Sequence, residues 1–346
     1  MRVAACDSDG NLRIEERPVP VPGFGEIVLK MIWCGFCGTD LFKLNTRSAP
    51  SATVLGHELV GLVYAVGRGV TRFAPGDRVV APHHVACGHC ALCSRGSRTL
   101  CPVFKENLMF PGGFSEYVLL RERIVTEAAR TIPDHISLET AAFLEPAACV
   151  LRGIDKAEIR DPMGCVVIVG GGSMGLLHLI TLRALVPEIS IIVIDPLEER
   201  RVLAERLGAT QGCHPDQLTA AVEIQTENLG ADAVFDTVGG SAILQAGLDV
   251  VRPGGTVIVF AHAADEEKAA FDLNRLFKNE RRVVATYSGS LNEQNRIAEL
   301  LFSGRLDPQP LVTHRISLDR IQDAVDLARR RQALKILIGP PENPNS

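Results

Sequence analysis

Residues 164–175 read GCVVIVGGGSMG, and the text around them decides the architecture of nearly half the chain. Cys165 to Val169 is an unbroken apolar run of the kind that forms a strand buried on both faces. Gly170, Gly172 and Gly175 stand at the three glycine positions of GxGxxG, with Ser173 and Met174 inside the turn. GLLHLITLRALV (175–186) predicts a helix opening from that turn, and ISIIVID (189–195) predicts a second strand ending at Asp195. Strand, glycine turn, helix and an acidic residue twenty positions after Gly175 are together the parts of a dinucleotide site. Gly170 permits the tight turn, Gly172 lets backbone amides approach a pyrophosphate, and Gly175 lets helix close on strand at an N-terminus that favours negative charge. Asp195 would accept hydrogen bonds from ribose hydroxyls and repel a 2′-phosphate, which favours NAD over NADP. Arg200 and Arg201 weigh the other way unless, as helix-face charges, they simply meet water. A ligand-free strand-to-helix turn is the alternative use of the same glycines.

The alternation continues outward. PLEERRVLAERLGA (196–209) predicts a helix ending at Gly208, and ADAVFDTVG (231–239) and GGTVIVFA (254–261) continue the strands. This pattern predicts a parallel, doubly wound sheet with right-handed crossovers. Thr237, Val238 and Phe260 fall at the carboxyl ends of later strands, where the nicotinamide end of a cofactor is expected. The first 125 residues read differently, as short apolar runs (GEIVLKMIWCG, LVGLVYAVG, GDRVVAP, GGFSEYVLL) cut by Gly, Pro and Asp, which predicts a small β-barrel or sandwich. After about Ser288 the text turns mixed, with helical RIAELLFSG and LDRIQDAVDLARR, extended QPLVTHRIS and strand-like LKILIG, so the tail is expected to return to the first domain. The expected domains are residues 1–147 with 289–346, and 148–288, with PPENPNS (340–346) as a frayed end.

With 346 residues, two domains of about 150 residues each are the prior. Thirty-six Lys and Arg against 41 Asp and Glu give a net charge of −5, which offers no general attraction to nucleic acid or an anionic membrane. No eighteen-residue apolar run and no leader-like start are present, so the expectation is a soluble, cytoplasmic protein. Four of the ten cysteines, Cys87, Cys90, Cys93 and Cys101, lie in one run, CGHCALCSRGSRTLC. That spacing lets one loop wrap a tetrahedral zinc, and four thiolates close its shell, so the metal there is expected to be structural. Cys37 in CGFCGTD, His57 and Glu58 in GHELVG, and Glu145 in FLEPAAC offer one thiolate, one imidazole and two carboxylates, a mixed set suited to an open, catalytic zinc.

Together with GGFSEYV, LEPAACV and PLVTHRISLDRIQDA, these pieces resemble the zinc-dependent medium-chain dehydrogenase/reductase family over nearly the full chain, nearest to its sorbitol (polyol) and threonine dehydrogenase branch. The resemblance implies a GroES-like β-barrel catalytic domain joined to a Rossmann NAD-binding domain, two zinc ions per subunit, and a homodimer or homotetramer. It implies that Cys37, His57 and Glu145 ligate the catalytic zinc and that Glu58 is a ligand or a close neighbour able to exchange with water. Glutamate at 145, where alcohol dehydrogenases of the commonest type carry cysteine, points to the polyol branch, and Cys149 reads as packing one helical turn further on. Thr39 resembles the hydroxyl that takes the substrate proton, with a turn or cap hydroxyl as the alternative, and Asp40 should hold His57 by its second ring nitrogen. The usual relay histidine is replaced by Phe42, so the proton is expected to leave through water exchanging at Glu58 or Glu145.

The implied reaction moves hydride between a secondary alcohol or polyol and NAD, with a small alcohol or ketone as the partner molecule. A threonine-type amino alcohol dehydrogenase is the runner-up, and a non-catalytic NAD-binding relative or a zincless reductase would lack the open ligand set. Lys43 reads as a solvated rim residue, with contact to an acidic or phosphorylated substrate as the alternative; Lys105, Glu106 and Asn107 within residues 103–114 are candidates for substrate polar groups, and Tyr287, Ser288 and Arg296 for nicotinamide or substrate. His83 and His84 read as loop histidines beside the site rather than ligands.

Overall fold

The computed structural model describes residues 1–106 and 108–340, so Asn107 and the tail after Pro340 lie outside the described residues. The chain divides into two compact units, one of Met1–Glu145 with the segment from Ser290 onward, the other of Pro146–Gly289. The division falls inside the helix Leu144–Ala157 rather than in a linker. No helix among the described residues is long and apolar enough to cross a membrane.

In the second unit six parallel strands lie in the order Gln211–Cys213, Ser190–Ile194, Cys165–Val169, Ala231–Asp236, Val251–Val259, Arg282–Ala285. The first strand in sequence is therefore central, and the chain winds outward from it in both directions. Every residue of Cys165–Val169 is buried, because helices cover both faces of a parallel sheet. The order reverses between Cys165–Val169 and Ala231–Asp236, and in such sheets the crevice at that point is where a ligand sits. The helix after the glycine turn runs Ser173–Leu185, and the next, Glu198–Arg206, stops before Gly208, whose φ of +101° is a conformation that glycine alone adopts without strain. The strand expected at 254–261 begins earlier, at Val251, and accommodates Pro253 and Gly254 by a register shift against Ala231–Asp236.

In the first unit the central strand is Ile27–Phe36, ten residues long. Antiparallel Glu58–Val66 runs along its length, Tyr117–Leu120 pairs with its start, and Lys335–Gly339 pairs with its end. Register shifts at Val28/Leu29 and Met31/Trp33 bend the strand. The tail thus returns to this sheet, with Ile336 opposite Phe36 while Gly35 faces Glu58 on the other side. Arg78–Ala81 continues the sheet beyond Glu58–Val66. Three strand ends, at Phe36, Glu58 and Lys335, consequently meet at one corner. Short helices at Glu122–Glu127 and Leu138–Ala141 were not legible in the periodicity, being only six and four residues long.

Candidate metal centres and nucleotide turn

At that corner the strand Ile27–Phe36 hands over to the helix Gly38–Asn45, with Cys37 as its N-cap. The Cys37 Sγ accepts from the Thr39 N–H at 3.5 Å, while the Cys37 N–H donates to Asp40 Oδ2 at 3.0 Å. This reciprocal cap fixes the thiol and buries Asp40. Asp40 Oδ1 then lies 3.4 Å from His57 Nδ1 and accepts from the Gly56 N–H at 3.3 Å. With Nδ1 so engaged, the other ring nitrogen of His57 is the one left for a metal. Burial alone would raise the Asp40 carboxyl and lower His57, but their mutual attraction takes Asp40 below and His57 above the usual values.

One ligand atom each from Cys37, His57 and Glu58 lies within 4.8 Å of the others, a thiolate, imidazole and carboxylate set whose chemistry fits zinc. Glu58 is also gripped from behind: both its oxygens accept from the Lys335 ammonium, at 2.6 and 2.8 Å, and both side chains are buried. Burial would lower Lys335, but the charges of Glu58 and then Cys37 hold it above the ordinary lysine value. Gly35 makes room for the pair, since a Cβ there would run into Glu58 Oε2. A water-exchange role for Glu58 therefore requires the Lys335 pair to open. Glu145 stands outside the tight group, nearly buried in the first turn of Leu144–Ala157, with Oε1 4.0 Å from His83 Nδ1.

The four-cysteine run closes on itself. Cys87, Cys90, Cys93 and Cys101 all lie within 4.8 Å, with Sγ···Sγ distances of 3.6 Å (Cys87–Cys101) and 4.0 Å (Cys87–Cys93). Four thiolates about 2.3 Å from a tetrahedral zinc would stand about 3.8 Å apart, so the residues present fit that ion. Backbone N–H groups of His89 and then Cys90 favour the Cys87 thiolate and bring it down to about 6. Phe104 packs with Ala86, Cys93 and Cys101 in a small apolar core. That places it in the lobe's own interior.

In the second unit the Gly170–Gly175 turn has the shape of a phosphate cradle. Gly170 has φ +102°, a Cβ on Gly175 would run into the Gly170 carbonyl, and a Cβ on Gly172 would meet nothing within 4 Å. Ser173 Oγ, at the helix N-terminus beside that open space, is buried with no hydrogen-bond partner among the described residues. Open space, an orphaned hydroxyl and a helix N-terminus together fit an anionic group. Asp195 is held by the Gly171 N–H at 2.7 Å and the Leu197 N–H at 2.8 Å.

A family model for the alcohol dehydrogenase GroES-like domain matches residues 23–133, and one for the zinc-binding dehydrogenase matches residues 174–303. The chain is 30% identical to a sorbitol dehydrogenase of Bacillus subtilis, over 98% of this chain and 97% of that protein. It is likewise 30% identical to an L-threonine 3-dehydrogenase of Pyrococcus furiosus, over 93% of each. A solved structure from Sinorhizobium meliloti 1021, described as a zinc-binding dehydrogenase bound to NADP, superposes with a TM-score of 0.87 at 29% identity, covering 98% of this chain and 99% of that one. The chain belongs to the zinc-dependent medium-chain dehydrogenase/reductase family.

As a member of that family the chain joins a GroES-like domain to a Rossmann domain, and zinc and a nicotinamide nucleotide are its cofactors. The remaining expected residues are distributed as follows. Thr237 Oγ1 donates to the Val169 carbonyl at 2.7 Å and lies under Gly170, whereas Val238 is half exposed. Phe260 meets buried His178 edge-on at 4.6 Å. Arg200 flanks Gly171, and Arg201 is not merely a solvated charge, since it donates to the Asp195 and Pro196 carbonyls at 2.8 Å each. Glu106 pairs with Arg123 at 2.8 Å. Lys43 sits in the last turn of its helix, Tyr287 is half exposed, and Ser288 adopts φ +58°. Arg296 is on the exposed side of Leu291–Phe302, and Cys149 is outside both cysteine-containing groups. Lys335 was missed altogether: LKILIG carries it only as a strand-edge cation, 277 residues from its partner.

Proposed function

We propose that the protein oxidises a secondary alcohol of the polyol class with NAD, using one catalytic and one structural zinc per chain. The observation that carries this reading is the open group of Cys37, His57 and Glu58 beside a separate, closed four-cysteine group. Cys37, His57 and Glu145 would hold the catalytic ion, and Cys87, Cys90, Cys93 and Cys101 the structural one. When bound, zinc supplies Lewis acidity that makes a hydroxyl proton easier to remove, and the nicotinamide supplies the hydride acceptor. The chain's own groups do the positioning. Asp40 orients His57, Lys335 fixes Glu58, Thr39 stands two residues after Cys37 to take up the substrate proton, and the Gly170–Gly175 turn takes the pyrophosphate. Asp195 favours NAD by accepting from ribose hydroxyls, with the neighbouring Arg200 as the feature that favours NADP.

Reduced nucleotide formation from sorbitol, 2,3-butanediol and L-threonine, with NAD and NADP in parallel and zinc counted per chain, tests this. Two zincs and NAD-linked polyol oxidation are expected. One zinc, turnover that survives removal of the open-site metal, or preference for L-threonine would overturn it.

A further inference from the structure

His83 follows the strand Arg78–Ala81 through Pro82 and lies between two rings, His57 at 4.5 Å and His84 at 3.5 Å between centroids. Both neighbouring rings are tilted against it, and its Nδ1 is buried with no hydrogen-bond partner among the described residues. An enclosed ring nitrogen without a partner costs about 1–3 kcal/mol, so such an atom calls for an occupant. The atom it faces is Glu145 Oε1 at 4.0 Å, too far for a direct bond. One oxygen placed about 2.8 Å from each would bridge them at about 90°. The chemistry of the two ends specifies that oxygen: the carboxylate only accepts, so the bridging group donates to it and accepts from a His83 Nδ1–H. A hydroxyl meets both demands.

We propose that His83 is a specificity-determining residue that, with Glu145, holds a second hydroxyl of the substrate, the one on the carbon next to the reacting alcohol. The proposal rests on the reading of this site as an alcohol site, and it explains why a diol would be preferred to a simple secondary alcohol. Imidazole and carboxylate come from different parts of the chain, 62 residues apart, so neither marks the subsite alone.

The experiment compares wild type, His83→Ala and His83→Gln on 2,3-butanediol and 2-butanol, which differ by the one hydroxyl at issue. The ratio of kcat/KM, diol over mono-ol, should fall about tenfold in His83→Ala and recover to within about threefold in His83→Gln, whose amide restores a donor. Zinc per chain should stay at the wild-type value. In cobalt-substituted protein without nucleotide, adding 2,3-butanediol should shift the visible absorption of wild type and leave that of His83→Ala in place at the same concentration. Equal losses on both alcohols, or identical cobalt responses in both proteins, would overturn the proposal and leave only a bridging water. If wild type oxidises neither of these alcohols nor sorbitol, the alcohol-dehydrogenase reading fails, while the cobalt comparison still decides the role of His83. Should His83→Ala not fold, His83→Gln carries the same comparison with a smaller expected change.

Discussion

The two cysteine-containing groups of the first unit are built in opposite ways. The closed group draws every ligand from fifteen consecutive residues, and its Cys87 thiolate is favoured by backbone N–H groups two and three positions along. The open group gathers Cys37 from a helix cap, His57 and Glu58 from the start of a strand, and its counter-charge Lys335 from a strand formed by the far end of the chain. A local loop can be satisfied by a metal alone. An assembled site must satisfy its own buried charges through the fold before any metal arrives. On the proposed reading the first is a brace whose loss is felt as stability, and the second a site whose loss is felt as rate.

Exchanging one cysteine in each group is the most direct way to break that contrast. Cys37→Ser should lower kcat by about 10⁴-fold, roughly 5 kcal/mol of barrier, with little change in melting temperature. Cys101→Ser should lower the melting temperature by about 5–10 °C and reduce zinc to one per chain, with turnover of the folded fraction retained. Calorimetry, zinc analysis and steady-state kinetics on the two variants would erase the distinction if both lost rate and stability alike.

The next largest effect concerns the counter-charge. Lys335→Met leaves the Glu58 carboxylate buried without its cation and should cost about 3–5 kcal/mol in denaturant unfolding. Lys335→Met combined with Glu58→Gln should recover most of that loss. If the single variant is as stable as wild type, the open group does not depend on tertiary charge pairing and the contrast with the local lobe fails.

The smallest effect sharpens the comparison by separating protons from metal. His178 in the second unit is fully buried, its Nδ1 bonded to the Met174 carbonyl at 2.7 Å, and burial pushes it down to about 4. A histidine whose folded value lies below its unfolded value of about 6.5 takes up its proton on unfolding, so its contribution is complete above about 6.5 and lost as pH falls towards 4. About 3 kcal/mol of stability should disappear over that window, and His178→Asn should flatten the dependence. Chelating zinc should leave this slope unchanged, as measured by unfolding at a series of pH values.

The same contrast explains what was legible. Cys165–Val169, the glycine turn and Asp195 could be read because their signals are local: apolar continuity, fixed glycine spacing and one acidic residue at a strand end. The four cysteines were legible for the same reason. At the open group the ligand types were visible and the resemblance implied that they converge, but the groups that hold them in place were not legible. The Gly35 requirement exists only once Glu58 packs against it, and Lys335 reads as an edge cation until its strand is laid beside Phe36. His83 faces Glu145 only through the fold, and the bend that lets Ile27–Phe36 serve three partners lies in register shifts that no periodicity announces.

The return of Lys335–Gly339 to the strand Ile27–Phe36 also sets a clock. Domains tend to fold as they emerge during synthesis, and the whole of Pro146–Gly289 is made before Lys335 exists. Until then Glu58 has no cation and the end of the central strand has no partner on that side. The dinucleotide-binding unit can therefore be finished while the metal-binding unit still waits, held open by the order in which the chain is written.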